Sequence, residues 1–156
     1  DMQPDIITLA KAVAGGFPMG VMLARQEIAD CFVPGDHAST FGGTPLACAA
    51  GLAASEILLD EAFLVQVQEK GAYFRSQLSA LQAKYPDKIA EVRGLGLMIG
   101  CELKVENGPV LAKLLAQKVL VNGIGQHVLR FVPPLIITQA EMDEAIAALD
   151  KALADV

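Results

Sequence analysis

Apolar residues change their spacing part of the way along this chain of 156 residues. In the first part, short apolar runs at 5–9 and 20–24 predict two buried strands. The segment 45–59 is nearly all small and apolar, which predicts a helix inside the protein. Thr44, followed by a proline, matches a cap residue and a first helical position. This part of the chain therefore predicts strands followed by a buried helix.

From residue 61 onward, apolar residues recur every three or four positions with charged residues between them. Over 61–84 this periodicity predicts a long amphipathic helix. Thr138 and Glu141 have the spacing of a capping box, so we expect a last helix to begin there and to run to about Ala154. The elements predicted between these helices are two strands, or one strand bent at a glycine, within 89–103, a helix at 109–118, and strands at 119–121 and 128–132.

The order of these elements indicates an α/β fold with a compact α+β tail. We place a domain boundary where the composition turns from small and apolar to amphipathic and charged, which gives domains at residues 1–60 and 61–156. Asp1 leads almost directly into the first predicted strand, with no cap or leader before it. We therefore expect an internal boundary of a longer chain, with any targeting signal upstream.

Composition and charge restrict the possible partners. Hydrophobic residues make up 53% of the chain and charged residues 19%, so a packed core is expected. The net charge of −6 and the lack of any Lys/Arg cluster argue against nucleic acid or an anionic membrane as partner, but leave room for a small anionic ligand. No apolar run approaches the roughly 20 residues that a membrane-spanning helix needs.

The three cysteines, Cys31, Cys48 and Cys101, are far apart and odd in number. They form neither the spacing of a metal site nor a disulfide framework, so we interpret them as small buried hydrophobic residues. This usage is typical of a reducing compartment, and we expect the protein to be cytoplasmic.

Lys11 follows an apolar strand and begins the stretch 11–18, which contains too much glycine for a stable helix. A lysine in this place projects from the carboxyl end of a strand, where open α/β sheets bind ligands. If it is desolvated, its amine loses basicity and can form a Schiff base. Taken alone, the pattern is equally that of a lysine in a solvent-facing loop, and this alternative stays open.

A second candidate site is the polar loop that precedes the helix at 45–59. Ser39 and Thr40 supply hydroxyl groups, Gly42 and Gly43 let the backbone approach a ligand, and a helix N-terminus follows. These features suit phosphate binding. The alternative is a loop that begins a helix and binds nothing.

Arg130 alternates with Leu129 and Phe131 inside a predicted strand, so it points to the opposite face. It lies either on a solvated face or toward a carboxylate, which a guanidinium grips through both oxygens. Arg93, directly before a glycine, is interpreted as a structural corner residue.

Four motifs, in order, resemble those of the class III (ornithine-type) aminotransferases, which depend on pyridoxal phosphate (PLP). They are Pro4–Ala12 with Gly15–Gly20, His37–Ala49, Val92–Leu97 and Leu129–Leu135. The resemblance covers essentially the whole chain. It implies a fold-type-I PLP-transferase, with residues 1–60 as the C-terminal piece of the large PLP-binding domain and residues 61–156 as the small C-terminal domain.

The same resemblance implies roles for single residues. Lys11 would hold PLP and act as the catalytic base. Thr40 would bind the PLP phosphate of the neighbouring subunit, so that the sites of a homodimer are shared. Ser39 would contact substrate and Arg130 would grip a substrate carboxylate. Thr44 departs from the family pattern, which commonly has asparagine there, but both residues are good caps.

The wording of the motifs is most similar to the branch that moves an amino group between N-acetylornithine and 2-oxoglutarate in arginine biosynthesis. Sister activities on ornithine, 4-aminobutyrate or succinylornithine stay open, as does a non-catalytic relative with the same fold. The residues that would meet the PLP ring are expected upstream of this chain. We therefore expect the chain by itself to hold the cofactor poorly and to be inactive.

Overall fold

A computed structural model describes residues 3–156, and the chain divides into two compact units, Asp1–Phe63 and Leu64–Val156. Asp1 and Met2, where the internal boundary is expected, lie outside the described residues. Among residues 3–156, no helix combines the length and the apolar character that crossing a bilayer would need.

The N-terminal unit contains a two-stranded antiparallel ribbon followed by helices. Strand β1 (Ile6–Leu9) pairs with β2 (Val21–Ala24), so that the first residue of β1 lies opposite the last residue of β2. A single 3-10 turn, Lys11–Ala14, follows β1, and the second helix packs against this turn. The elements of this unit are β1 (Ile6–Leu9), β2 (Val21–Ala24), α1 (Gln26–Ala29) and α2 (Pro45–Leu58).

The apolar surface of this unit is largely open to solvent. All side chains of β1, and Met22 and Leu23 of β2, are exposed although they are predicted to be buried, because the described residues of this unit include no element that covers the ribbon. On α2 only Ala47 and Gly51 are buried, while Leu46, Leu52 and Ile57 are exposed. The composition of α2 predicts a buried helix, but within the described residues most of its side chains are not buried.

The C-terminal unit is built on a four-stranded antiparallel sheet with the strand order β3-β4-β6-β5. The helix predicted over 61–84 is present with those bounds, and the stretch 89–103 forms two strands, the first of the two predicted alternatives. The elements are α3 (Glu61–Lys84), β3 (Ile89–Leu95), β4 (Met98–Leu103), α4 (Asn107–Ala116), β5 (Asn122–Ile124), β6 (Val128–Phe131) and α5 (Gln139–Ala154).

One face of this sheet forms the core together with the three helices. Alternate residues of β4 and β6 are buried, namely Ile99 and Cys101 on β4 and Leu129 and Phe131 on β6. The ring of Phe131 meets that of Phe74 on α3 edge to face, with centroids 5.3 Å apart. The opposite face carries polar side chains, among them Arg130. The alternation along each strand therefore places the core residues on one face and this candidate binding residue on the other.

Two boundaries in this unit differ from the prediction. The apolar run 119–121 is not a strand, because Val119 and Val121 pack against the core from an irregular segment, and pairing begins at β5. Helix α4 begins at Asn107 rather than at residue 109. The buried Asn107 side chain donates to the carbonyls of Gly125 and Val128, which ties the start of α4 to the β5–β6 hairpin.

The two predicted helix caps have different outcomes. The capping box at Thr138 is confirmed, since Glu141 N–H donates to Thr138 Oγ1 at 3.3 Å and Thr138 N–H to Glu141 Oε2 at 2.8 Å. The Thr138 hydroxyl also donates to Glu141 Oε2, at 2.8 Å, and the two bonds that Thr138 donates to this carboxylate, from its N–H and its hydroxyl, lower the pKa of Glu141. At α2 the predicted positions are confirmed, with Thr44 as the N-cap residue and Pro45 as the first helical residue, but the Thr44 side chain makes no capping hydrogen bond.

Gly71 on α3 allows the helix to touch the turn between β3 and β4. A Cβ atom at Gly71 would lie 2.2 Å from the carbonyl oxygen of Gly96, a backbone atom that cannot swing aside. We expect Gly71→Ala to lower the free energy of unfolding by about 1–3 kcal/mol, the usual penalty of overpacking. The measurement is chemical denaturation followed by circular dichroism.

Gly108→Ala is the matched control for this change. Gly108 lies in the first turn of α4 with no atom within 4 Å of a Cβ built on it. Alanine there should leave stability unchanged or raise it by up to about 1 kcal/mol, because it favours helix over glycine. Equal stability of the two variants would contradict the close contact.

Asp150 on α5 accepts hydrogen bonds from Lys84 at 2.7 and 2.8 Å and from the Tyr85 hydroxyl at 2.7 Å. The hydrogen bond from Lys84 contributes most to lowering the pKa of Asp150. A carboxylate with a lowered pKa stabilises the fold above its ordinary value of about 4, and this contribution is lost as pH falls through the folded value. The bond to Asp150 also raises the pKa of Lys84. The stability that the Lys84 charge contributes is therefore lost only when the pH rises through the raised pKa of Lys84.

We therefore expect Asp150→Asn to be less stable than the natural chain at pH 7. The difference should narrow steadily as pH falls below about 4. Urea denaturation of both proteins at several pH values measures this gap. A gap that stays constant down to pH 2 would show that the charge of Asp150 is not what stabilises the contact.

Candidate active site

Lys11 begins the turn that follows β1, and its backbone is strained. Its φ of 59° lies in the left-handed region, where a residue with a side chain costs about 1–2 kcal/mol. The side chain is exposed at the carboxyl end of the strand. Strained residues cluster at functional sites, although Lys118 has a similar φ of 64°.

The loop before α2 combines small residues with a tight turn. Gly42 N–H donates to the carbonyl of Ser39 at 3.2 Å, and a Cβ at Gly42 would approach the Ser39 Cβ to 3.2 Å. Gly43 has a φ of 69°, which suits glycine. Because Thr44 does not cap α2 with its side chain, the amides of the first turn keep their capacity to bind an anion.

Ser39 and Thr40 are placed differently by this loop. Ser39 lines a cavity of about 290 Å³ whose wall also includes Met19 and Gly20, from the segment after Lys11. Thr40 is exposed and is not among the residues that line this cavity. Within the N-terminal unit, the structure thus brings Ser39, but not Thr40, to the segment that follows the candidate lysine.

Arg130 belongs to the C-terminal unit, where β6 directs it away from the core face. It lines a cavity of about 510 Å³ whose wall is mostly apolar and includes Pro133 and Pro134 as well as the core residues Phe74 and Phe131. Its Nε atom is buried and has no hydrogen-bond partner among residues 3–156. A buried N–H without an acceptor is unfavourable by about 1–3 kcal/mol, so the site is suited to a ligand that supplies an oxygen.

Arg93 takes part in a charge cluster that the sequence did not reveal. Its Nη1 donates to Glu91 at 2.8 Å and to Glu102 at 2.5 Å. The bond to Glu102 is the main cause that raises the pKa of Arg93. The alternation of Glu91 and Arg93 was visible in the sequence, but it does not say which residue of the next strand lies opposite.

The comparisons with known proteins agree on one family. The family described as "Aminotransferase class-III" matches residues 1–153. The chain is 49% identical over 154 residues to acetylornithine aminotransferase of Caldanaerobacter subterraneus subsp. tengcongensis, and the match covers 98% of this chain but 39% of that relative. The chain therefore spans about two fifths of the length of that relative.

Solved structures give the same picture of the fold. Acetylornithine aminotransferase of Elizabethkingia anophelis superposes with a TM-score of 0.89 at 33% identity, covering 100% of this chain and 40% of that one. Ornithine aminotransferase of Toxoplasma gondii superposes with a TM-score of 0.88 at 34% identity, covering 97% of this chain and 37% of that one. Both likenesses confirm the α/β fold that the sequence predicts.

Removal of the Arg130 guanidinium, whose Nε has no partner among residues 3–156, should test whether Arg130 is kept for binding rather than for stability. We expect Arg130→Met to leave the free energy of unfolding unchanged or to raise it by about 1 kcal/mol, because a buried donor without an acceptor is lost. Thermal and urea denaturation measure this. Arg93→Met, the same change in an arginine that has two partners, is the control and should not stabilise. Marked destabilisation by Arg130→Met alone would show a structural role.

Proposed function

This chain belongs to the class-III aminotransferase family, and from that membership we propose that it serves a PLP-dependent transfer of an amino group from N-acetylornithine to 2-oxoglutarate. The single observation that carries this proposal is Lys11, held with a left-handed backbone directly after a strand, within a motif of that family. The 49% identity to an acetylornithine aminotransferase supports the choice of substrate.

The residues present fit part of the cofactor. Lys11 offers an exposed amine, and the loop at Ser39–Gly43 offers hydroxyls, small residues and an uncapped helix N-terminus. These groups suit an aldehyde and a phosphate, respectively. The chemistry that PLP supplies when bound is withdrawal of electrons from the carbon that carries the amino group.

We assign a role to each candidate residue on this basis. The Nζ of Lys11 would hold the cofactor and would also act as the base that takes the proton from the carbon carrying the amino group. Thr40 binds a cofactor phosphate from the neighbouring subunit of a homodimer, a role that its exposed position permits. Ser39 contacts the substrate.

Arg130 binds a carboxylate of the substrate in this proposal. The buried Nε without an acceptor supports that role, because a ligand oxygen would complete its hydrogen bonding. A guanidinium also holds a carboxylate in a fixed orientation, which reduces the entropy lost when the substrate reacts. Transamination needs such orientation, since both its donor and its acceptor carry a carboxylate.

The domain assignment is part of the same proposal. Residues 1–60 would be the last piece of a large PLP-binding domain and residues 61–156 a small C-terminal domain. The coverage of 39% of a curated relative supports a longer protein. We further propose a cytoplasmic location, in keeping with the scattered cysteines.

Ornithine is the second candidate donor, because the fold also matches the ornithine aminotransferase of Toxoplasma gondii. A non-catalytic relative is disfavoured by two features. Neither the strain at Lys11 nor the unpaired Nε of Arg130 contributes to the stability of a scaffold.

Reductive trapping tests the proposal on the full-length protein that carries this chain. Borohydride should fix a pyridoxyl group on the peptide that contains Lys11, as mapped by mass spectrometry. Lys11→Ala should lose the adduct and lower transamination by at least about 10³-fold, as expected for loss of a catalytic base and covalent anchor. An absent adduct from folded protein supplied with PLP would remove the transaminase function.

Lys118→Ala is the matched control, since Lys118 is the other lysine with a left-handed backbone, with a φ of 64°. It should keep both the adduct and the activity. With the adduct established, rates with N-acetylornithine, ornithine and 4-aminobutyrate identify the donor. A clear preference for ornithine would contradict the proposed substrate and leave the reaction type intact.

A further inference from the structure

A row of opposed residues crosses the polar face of the four-stranded sheet. Arg93 on β3 lies opposite Gly100 on β4, and Gly100 lies opposite Arg130 on β6. Residues directly opposite each other in antiparallel strands project from the same face. The two arginines therefore share one face of the sheet, with only a glycine between them.

Glu102 is the carboxylate that this arrangement places near both arginines. It lies two residues beyond Gly100 on β4, so it is on the same face and is a diagonal neighbour of Arg93 and of Arg130 alike. Diagonal positions are about 7–8 Å apart, within reach of long side chains. The register of the strands alone does not decide which arginine Glu102 pairs with.

The structure shows Glu102 with Arg93. Arg93 Nη1 donates to Glu102 at 2.5 Å and also to Glu91 at 2.8 Å, so one guanidinium holds both carboxylates of this face. The side chains of Arg93 and Glu102 are 46% and 40% exposed, which leaves the pair free to exchange partners. Arg130, in contrast, keeps its buried Nε without an acceptor among the described residues.

We propose that Arg93 is a positioning residue that holds Glu102 away from Arg130 and so keeps the Arg130 guanidinium available for a ligand carboxylate. The inference rests on the function proposed for Arg130. Without Arg93, the released carboxylate of Glu102 would pair with Arg130 and compete with the ligand. Arg93 thus acts on binding through Glu102, and touches no substrate itself.

The test uses the full-length protein and glutarate, a dicarboxylate that cannot accept an amino group. Arg93→Ala should weaken glutarate binding about fivefold, the factor that an exposed ion pair contributes at most. It should raise the KM for 2-oxoglutarate by the same factor and leave kcat unchanged. Arg93→Lys should retain binding, because an ammonium also holds Glu102.

Rescue by a second change separates this role from a structural one. In Arg93→Ala/Glu102→Gln the only carboxylate that loses its Arg93 partner is Glu91, which lies on β3, two strands away from Arg130. Glutarate affinity should therefore return to that of Glu102→Gln alone. Glu102→Gln removes the same ion pair without freeing a charge and should bind like the natural protein. A double variant no better than Arg93→Ala, or an Arg93→Ala that binds normally, would overturn the proposal.

Labelling of Arg130 by phenylglyoxal, mapped by mass spectrometry, gives a readout that does not depend on substrate. Arg93→Ala should slow the labelling of Arg130 about fivefold, because its guanidinium is then paired, and the double variant should restore it. Equal labelling rates in all variants would overturn the pairing. If Arg130→Met binds glutarate normally, the function proposed for Arg130 fails, and the labelling rates still decide the role of Arg93.

Discussion

The C-terminal unit depends on the burial of one face of its sheet. Successive residues of a strand point to opposite faces, so only the observed register directs the apolar residues of β4 and β6 toward the helices. These residues are Ile99, Cys101, Leu129 and Phe131. A slip of one residue would bring Arg130 into the core and expose its apolar neighbours. The apolar face therefore fixes which side chains stand opposite each other on the polar face, where the arginines lie.

Local signals in the sequence were sufficient for features that depend on neighbours along the chain. The helix over 61–84, the capping box at Thr138 and the outward direction of Arg130 follow from periodicity and short-range hydrogen bonding. The family resemblance selected Lys11, Ser39, Thr40 and Arg130 one by one. The fold class is confirmed, while the roles of those four residues stay proposals.

Features that depend on distant partners were missed. The apolar run 119–121 has the composition of a strand, yet Val119 and Val121 pack against the core and strand pairing begins only at the next residue, Asn122. Arg93 was interpreted as a corner residue, because alternation within one strand does not give the register with the next. The strands of the N-terminal ribbon were predicted to be buried, since apolar composition does not reveal whether the covering elements belong to the same chain.

Cys101 lies in the middle of the buried face, and its burial raises the pKa of the thiol to about 12. At neutral pH only about one such thiol in 10⁵ is ionised, and the thiolate is the form that oxidants and alkylating agents attack. While the core is closed, the buried face of the sheet, opposite the face that carries the two arginines, therefore does not react with such reagents. The rate at which an alkylating agent modifies Cys101 would therefore measure how often the core of the C-terminal unit opens.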